Sequence, residues 1–374
     1  MWLLSGLLFL PLSANAAPTV DVKIHFFEAL APRDTTSSLR FQTEYDGAIN
    51  TTTALLSKKL SSCGYRLDEK ITFFNATDGL EALEKAKASA AQGAWMFVGP
   101  RRSNHYVLLA KGAPSVPSVS TMASSQEASD LGRLHLSMAP TNAEMASAAA
   151  KEAKQTIGSK TKGTYVSIVS EDCIACIDFA QHFDAAAKAL KLVKQQEFKV
   201  SGDSPDLADI VSKTALLKPS FVLLPNYSKV TAQAIAAIHK ILPNAFYAGG
   251  DGWGDASFGF LQNAKDVESA TGFSVRGFPS TDVALADFAL GLTLLAATDP
   301  KLQRPGSAST LAITKIIEST TNLLCQYKPK TKEAFSKLFE RHGRQLFRSP
   351  WGVSIYNLKD GNISYGRTER RPRL

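Results

Sequence analysis

From Val20 onward the chain alternates short apolar strands with helices, and after Gly158 the alternation begins again. Val20 to Phe27 reads as a buried strand. Phe41 to Leu60 reads as a helix, with Ala48, Leu55, Leu56 and Leu60 near helical spacing. Tyr65 to Phe74 is extended, Gly79 to Gln92 helical, and Trp95 to Val98 extended again. This order belongs to a doubly wound parallel sheet, because parallel strands need a helix to carry the chain back across the sheet. The second round runs from a strand at Thr164 to Val169 through a helix at Ile177 to Leu190 and a strand at Leu192 to Val200. It continues with a helix at Leu207 to Leu217, a strand at Ser220 to Leu224, a helix at Lys229 to Leu242 and a strand at Ala245 to Ala248. Two such rounds predict two Rossmann-like lobes rather than one long sheet. With 374 residues, 44% of them hydrophobic, the chain can bury both cores.

Between the rounds, Pro140-Thr141-Asn142-Ala143-Glu144 has capping-box spacing and opens an Ala-rich helix running to Gly158. Past Gly272, helices at Val283 to Ala297, Leu311 to Leu324 and Lys332 to His342 follow one another without a strand and are expected to cover one lobe. Trp351 to Leu358 and Ile363 to Tyr365, separated by Asp360-Gly361, predict a closing hairpin. The sequence has no low-complexity linker, so the lobes are expected to share several chain crossings.

Within the first round, Met96 to Ser125 places two polar turns after consecutive strands. Gly99-Pro100 ends one apolar run, and Arg101, Arg102, Ser103 and Asn104 open the next helix. Ser120, Thr121, Ser124 and Ser125 follow the second run, Val116 to Val119. Ligands of parallel sheets sit outside the carboxyl ends of strands, and N–H groups at a helix start suit an anion. The two turns are expected to grip the acidic end of a small ligand.

The N-terminal MWLLSGLLFLPLSANA is apolar, too short for a comfortable membrane span, and ends in the small-x-small pattern Ala14-Asn15-Ala16. It predicts export to the periplasm with cleavage after Ala16, although a basic residue at its start is missing. No cysteine lies near that point. The formal charge of +8 would suit nucleic acid in a cytosolic protein, but export makes that partner unsuitable. Arg344, Arg348, Arg367, Arg370, Arg371 and Arg373 crowd the C-terminal end as a solvated basic tail or an attraction to an anionic membrane face.

Enzyme signatures do not assemble. Ser159 and Lys162 have S-x-x-K spacing in a polar loop without the accompanying motifs. Gly158 to Gly163 has the glycine spacing of a P-loop, with Thr164 where the lysine belongs. His25, His105, His135, His182, His239 and His342 lack ligand spacing, so no metal or other cofactor is expected. The four cysteines of an exported chain allow disulfides. Cys173 and Cys176 form a C-x-x-C just after a strand, readable as a structural or incidental pair, a redox pair or a metal clip. Cys63 and Cys325 can pair with each other across one lobe, and spacing alone leaves that connectivity open.

The ordered runs VGPRRS, VPSVSTMASS, APTNAEMASAAAKEA, a strand ending in SED, KPSFVLLPNYSKVTAQAI and YAGGDGWGD resemble the type I periplasmic binding proteins. The likeness is to the branched-chain amino acid (Leu/Ile/Val) type of ABC-transporter substrate-binding protein. It covers nearly the whole chain past the leader and implies two lobes joined by three crossovers, closing like a Venus flytrap on a ligand. It places lobe 1 at 17–140 and 274–347, and lobe 2 at 141–273 and 348–374.

The resemblance also implies roles. Ser103 falls where a hydroxyl meets the ligand carboxylate, and Ala123 and Ser124 where backbone groups and a hydroxyl complete that grip. Asp251 falls where an acid takes the ligand ammonium, and Tyr227 where an aromatic closes over it. The plain readings stand beside these: helix caps for Ser103 and Ser124, a turn residue for Asp251 and a loop aromatic for Tyr227. Ala175 and Cys176 stand near the place where the family has a Tyr-Gly. Arg101 and Arg102 are unusual beside a neutral amino acid's carboxylate: if either points inward the ligand can carry extra negative charge, and otherwise they are solvated rim residues that steer anions. The implied protein is a monomeric, non-enzymatic carrier of an amino acid or small carboxylate, with an inner-membrane ABC permease as partner. The other readings are an exported sensor of the same fold, without transport, and a C-x-x-C redox protein.

Overall fold

The computed structural model describes residues 19–30, 35–75, 78–158, 163–202, 205–253, 269–277, 308–347, 352–359 and 362–369. The leader, the expected helix at Val283 to Ala297, the Ser159 to Lys162 loop and the basic residues Arg348, Arg370, Arg371 and Arg373 lie outside them.

The first sheet contains β1 (Val20–Leu30), β2 (Tyr65–Asn75), β3 (Met96–Val98), β4 (Ser118–Ser120) and β5 (His135–Ser137). Its order is β2-β1-β3-β4-β5 and every pairing is parallel. The second sheet contains β6 (Thr164–Ser170), β7 (Val193–Val200), β8 (Phe221–Leu224), β9 (Phe246–Gly249), β10 (Thr271–Arg276), β11 (Ser354–Lys359) and β12 (Asn362–Thr368). Its order is β12-β11-β10-β9-β8-β6-β7. Its parallel part, β7-β6-β8-β9-β10, repeats the first sheet strand for strand, and β11 and β12 add an antiparallel hairpin. The duplication expected from the two rounds of alternation is thus a duplicated topology, each copy with its switch point beside the first strand of the round.

Helices cover both faces of each sheet, so the strands are apolar on both sides. In lobe 1, Val22, Ile24 and Phe26 pack toward α1 (Thr35–Ser62), α9 (Ala308–Tyr327) and α10 (Lys332–Leu346) through Ile49, Leu56, Ile316, Ile317, Phe335 and Phe339. Phe27, Ala29 and Phe97 face α2 (Gly79–Ala91) and α3 (Ser103–Gly112) through Ala82, Ala86 and Leu109. In lobe 2, Val166, Ile168, Val222 and Leu224 meet α7 (Ala208–Leu217) and α8 (Ser228–His239). Tyr165, Phe221, Leu223 and Phe273 meet α5 (Asn142–Ile157) and α6 (Ile174–Ala189). Among the described residues, no helix is long and apolar enough to cross a membrane.

Several expectations are corrected. Leu55, counted on the buried stripe of α1, faces solvent. α6 begins at Ile174, not Ile177, because Cys173 caps it: the Cys176 N–H donates to Cys173 Sγ at 3.2 Å. β5 and α4 (Gln126–Ser129) lie where only a polar turn was expected, and β10 was not anticipated. β10 runs on to Arg276, so the expected crossing at 273/274 falls inside a strand of the second sheet. The capping box at Thr141 and Glu144 is present: the Glu144 N–H donates to Thr141 Oγ1, and Glu144 Oε2 accepts the Thr141 N–H.

Both cysteine pairs are disulfides. Cys63–Cys325 ties α1 to α9, and Cys173–Cys176 closes the first turn of α6.

Candidate functional site

The loops that follow the strands of the two sheets meet one another, and the expected site residues lie on them. In lobe 1, Glu28 lies near the end of β1, and its carboxylate is fully buried. It accepts N–H bonds from Ala29 (2.9 Å) and Arg101 (3.3 Å), with Arg101 Nε 3.6 Å away. Burial raises the Glu28 pKa, and the Arg101 charge opposes the rise.

The turn after β3 requires Gly99. Its φ is +83°, and a Cβ there would lie 2.2 Å from the Phe27 carbonyl oxygen. Arg102 then forms the N-cap of α3, with no side chain capping the helix. Ser103 opens the helix, buried, and its Oγ accepts the N–H groups of Ser124 (3.1 Å) and Ser125 (3.2 Å).

Ser120 pins the second turn: its hydroxyl donates to the Pro100 carbonyl at 2.6 Å and accepts the Ala123 N–H at 2.9 Å. The N–H groups of Ala123 and Ser124, expected on a ligand carboxylate, are therefore bonded within lobe 1. Ser103 Oγ accepts twice here, and its O–H proton is its remaining donor capacity. The Ser124 hydroxyl reaches across to Asp251.

In lobe 2, Asn226 organises the end of β8. Its Oδ1 accepts the Ser170 N–H and its Nδ2 donates to the Ile168 carbonyl, both at 2.7 Å, locking the β8 loop to the end of β6. Next to it, Tyr227 forms the N-cap of α8, again without a side-chain cap, and is 43% exposed.

Gly249 to Trp253 turn about the fully buried Trp253, whose Nε1 donates to the Leu224 carbonyl at 2.8 Å. A Cβ at Gly249 would lie 2.1 Å from the Trp253 ring, so only glycine lets the indole in. Asp251 projects from this loop, partly open to the cleft but crowded by protein. Desolvation pushes its pKa up to about 6, against the Ser124 bond and the Arg276 charge. Arg276, at the end of β10, is buried, donates to the Trp253 carbonyl at 2.6 Å and lies 4.0 Å from the Tyr356 ring centroid.

Among the described residues several contacts join the lobes, including the Asn142 N–H donated to the Ser124 carbonyl at 2.7 Å. Arg102 Cζ lies 5.5 Å from the centroid of the Tyr227 ring. Ser124 Oγ donates to Asp251 Oδ2 at 3.4 Å, a long hydrogen bond. The Gln126 N–H donates to Asp178 Oδ2 at 3.1 Å, and Asn142 Nδ2 donates to the same oxygen at 2.8 Å. Ser103, Ala123, Ser124, Arg102, Tyr227 and Asp251 are thus brought to one interlobe region. Sequence reasoning missed Glu28, Asp178, Asn226 and Arg276. The charge of Arg276 within the apolar run TGFSVRG was the available signal for the last of these.

Compared with solved structures, the fold is shared widely. The leucine-binding protein LivK of Thermotoga maritima superposes with a TM-score of 0.74 at 13% identity, covering 93% of this chain and 99% of that one. This chain has the type I periplasmic binding fold. A Brucella ovis protein that binds leucine, isoleucine, valine, threonine and alanine, solved in its closed conformation, superposes on this periplasmic binding fold equally well. Its TM-score is 0.74 at 14% identity, over 95% and 96% of the two chains. An R. palustris ABC-transporter solute-binding protein in complex with benzoate matches at 0.67 and 12% identity, over 95% and 99%. No protein-family model and no curated protein matches the sequence.

The buried Cys173–Cys176 disulfide places its sulfurs under the first turn of α6, away from the solvent access that thiol exchange needs. Among the described residues, no cluster of His, Cys, Asp or Glu could hold a metal ion.

Proposed function

We propose that the protein captures a small zwitterionic or acidic molecule between its lobes, in the periplasm, and delivers it to an inner-membrane ABC permease. The observation that carries this reading is the pairing of strand-end loops from both sheets, Arg102 with Tyr227 and Ser124 with Asp251. A molecule held among these groups contacts both lobes only when they are closed, so binding shifts the population toward closure. The uncapped starts of α3 and α8 offer backbone N–H groups and positive dipole ends to an anion. In this reading the Ser103 hydroxyl donates to the ligand carboxylate, Arg102 and Tyr227 close over it, and Asp251 faces its other end.

The proteins of similar fold bind leucine and related amino acids or benzoate, which supports a small carboxylate as the ligand. Two disulfides suit an oxidising compartment and an exported chain with its leader removed after Ala16. A thermal-shift screen of the purified protein against amino acids, small aliphatic carboxylates and aromatic acids tests the binding role. A ligand that binds only the folded form raises the melting temperature, and a panel without any rise counts against the reading. Neighbouring genes for two permeases and their ATPases support the transport step, whereas a neighbouring sensor kinase supports sensing.

A further inference from the structure

The loop that follows β4 is held from the second lobe at two places, and only one of them belongs to the proposed solute site. At that site the Ser124 hydroxyl donates to Asp251. Beside it, the Ser124 carbonyl accepts the Asn142 N–H at 2.7 Å, and the Gln126 N–H donates to Asp178 Oδ2 at 3.1 Å. Gln126, Asn142 and Asp178 have no part in the proposed grip on the solute.

Each side of this second contact is set in advance by its own lobe. Asn142 opens α5 and is 1% exposed. Its Nδ2 donates to the Ala175 carbonyl at 3.0 Å and to Asp178 Oδ2 at 2.8 Å. Both partners are acceptors, so turning the amide over would set Oδ1 against them. Ala175 and Asp178 lie near the start of α6, which Cys173 caps and the Cys173–Cys176 disulfide closes. His182 Nε2 stands 3.5 Å from Oδ1, the other carboxylate oxygen. On lobe 1, Gln126 begins α4, where a backbone N–H has no acceptor within the helix. The amides of Ser124 and Ser125 before it are fixed by Ser103. A hydrogen bond of this length fails once its atoms part by about half an ångström more, so separation of the lobes breaks it.

We propose that Asp178, positioned by Asn142, is a latch: it meets the Gln126 N–H when the lobes close and so sets the population of the closed form without touching the solute. This rests on the solute-binding reading above. Apparent affinity scales with the fraction of protein in the binding-competent form. A latch therefore changes the affinity of every solute by one common factor, whereas a residue in contact with the solute affects unlike solutes unequally. The test is a calorimetric titration of wild type, Asp178→Ala, Gln126→Pro and the double variant with leucine, 4-methylpentanoate and benzoate. Proline suits the first position of a helix after the extended Ser125, and it removes the N–H donor from the other lobe. Each single variant is expected to weaken every probe that binds wild type by about tenfold or more, equally for all probes. The double variant is expected to match Asp178→Ala, because both ends of one bond are gone. Unchanged affinity, losses that differ among the probes, or additive losses in the double variant overturn the latch and leave solute binding intact. If Asp178→Ala does not fold, Gln126→Pro, which leaves lobe 2 untouched, decides. If neither these probes nor the wider carboxylate panel bind, the solute-binding reading falls and hydrogen exchange judges the latch. The Gln126 amide is expected to be protected in wild type and exposed in Asp178→Ala, and equal exchange overturns the proposal.

Discussion

Arg102 of the first lobe lies over the ring of Tyr227 of the second, its Cζ 5.5 Å from the ring centroid. The two residues are also the N-caps of α3 and α8, so one cation–π contact joins the starts of two helices that no side chain caps. Such a contact stabilises by about 0.5–2 kcal/mol, depending on how dry it is. Tyr227→Ala should therefore weaken ligand binding by roughly threefold to thirtyfold, and Tyr227→Phe, which keeps the ring, should lie close to wild type. Calorimetric titration of both variants separates the ring from the hydroxyl, and equal losses would assign the effect to the hydroxyl instead.

Ser103 is a structural hydroxyl as well as the proposed ligand donor. Ser103→Ala leaves the N–H groups of Ser124 and Ser125 without the acceptor they use here, which costs about 1–3 kcal/mol of stability. Ligand affinity should fall by a further ~1–2 kcal/mol through loss of the O–H donor. Chemical denaturation gives the first quantity and titration the second. A variant that loses affinity at full stability would place Ser103 on the ligand alone.

Asp251 makes stability depend on pH in an identifiable direction. Its carboxyl, pushed up to about 6 mainly by desolvation, holds its proton more tightly folded than unfolded, where a carboxyl titrates near ~3.9. Its contribution to folding is complete below about pH 4 and is lost as pH rises through 6. Asp251→Asn removes this dependence. The variant should gain on the order of 1–3 kcal/mol over wild type between pH 4 and pH 8. His25, lowered to about 4 by burial, works the other way: its contribution is present above ~6.5 and lost as pH falls toward 4. Measuring variant against wild type at each pH cancels the His25 term, and a constant difference would remove Asp251 as the cause.

The two disulfides should contribute unequally. Cys63–Cys325 spans 262 residues of sequence and Cys173–Cys176 spans 3. In the chain-entropy account the long loop stabilises by about 6 kcal/mol and the short one by about 2 kcal/mol. Denaturation of the Cys63→Ser/Cys325→Ser and Cys173→Ser/Cys176→Ser proteins measures both. A larger loss from the short pair would show that it acts by shaping the start of α6 rather than through entropy.

Local signals were the legible part of the fold. The spacing of Thr141 and Glu144 gave the start of α5, and the apolar runs at Val20 and Thr164 gave the first strand of each lobe. Three-residue strands such as β5 carry too few residues to show a period, so His135 to Ser137 passed as loop. Leu55 shows that a leucine at helical spacing need not face the core. At the site, the turns holding Ser103 and Asp251 were legible because glycine and serine clusters mark strand ends. The partners of those residues were not. Glu28 stood just past the expected first strand and Arg276 on a strand that was not anticipated, and only the sheet register brings Arg276 beside Asp251. The bonds from Ala123 and Ser124 back to Ser120 and Ser103 were also illegible, since they close loops formed by separate elements.

Hydrogen exchange on the protein with and without the ligand found by the thermal screen tests the central claim most directly. Protection on ligand addition should arise together at the turns around Arg102 to Asn104 and Met122 to Ser125 in lobe 1, and around Asn226 to Ser228 and Gly250 to Trp253 in lobe 2. Protection confined to one lobe, or lying wholly outside these loops, would contradict capture between the lobes.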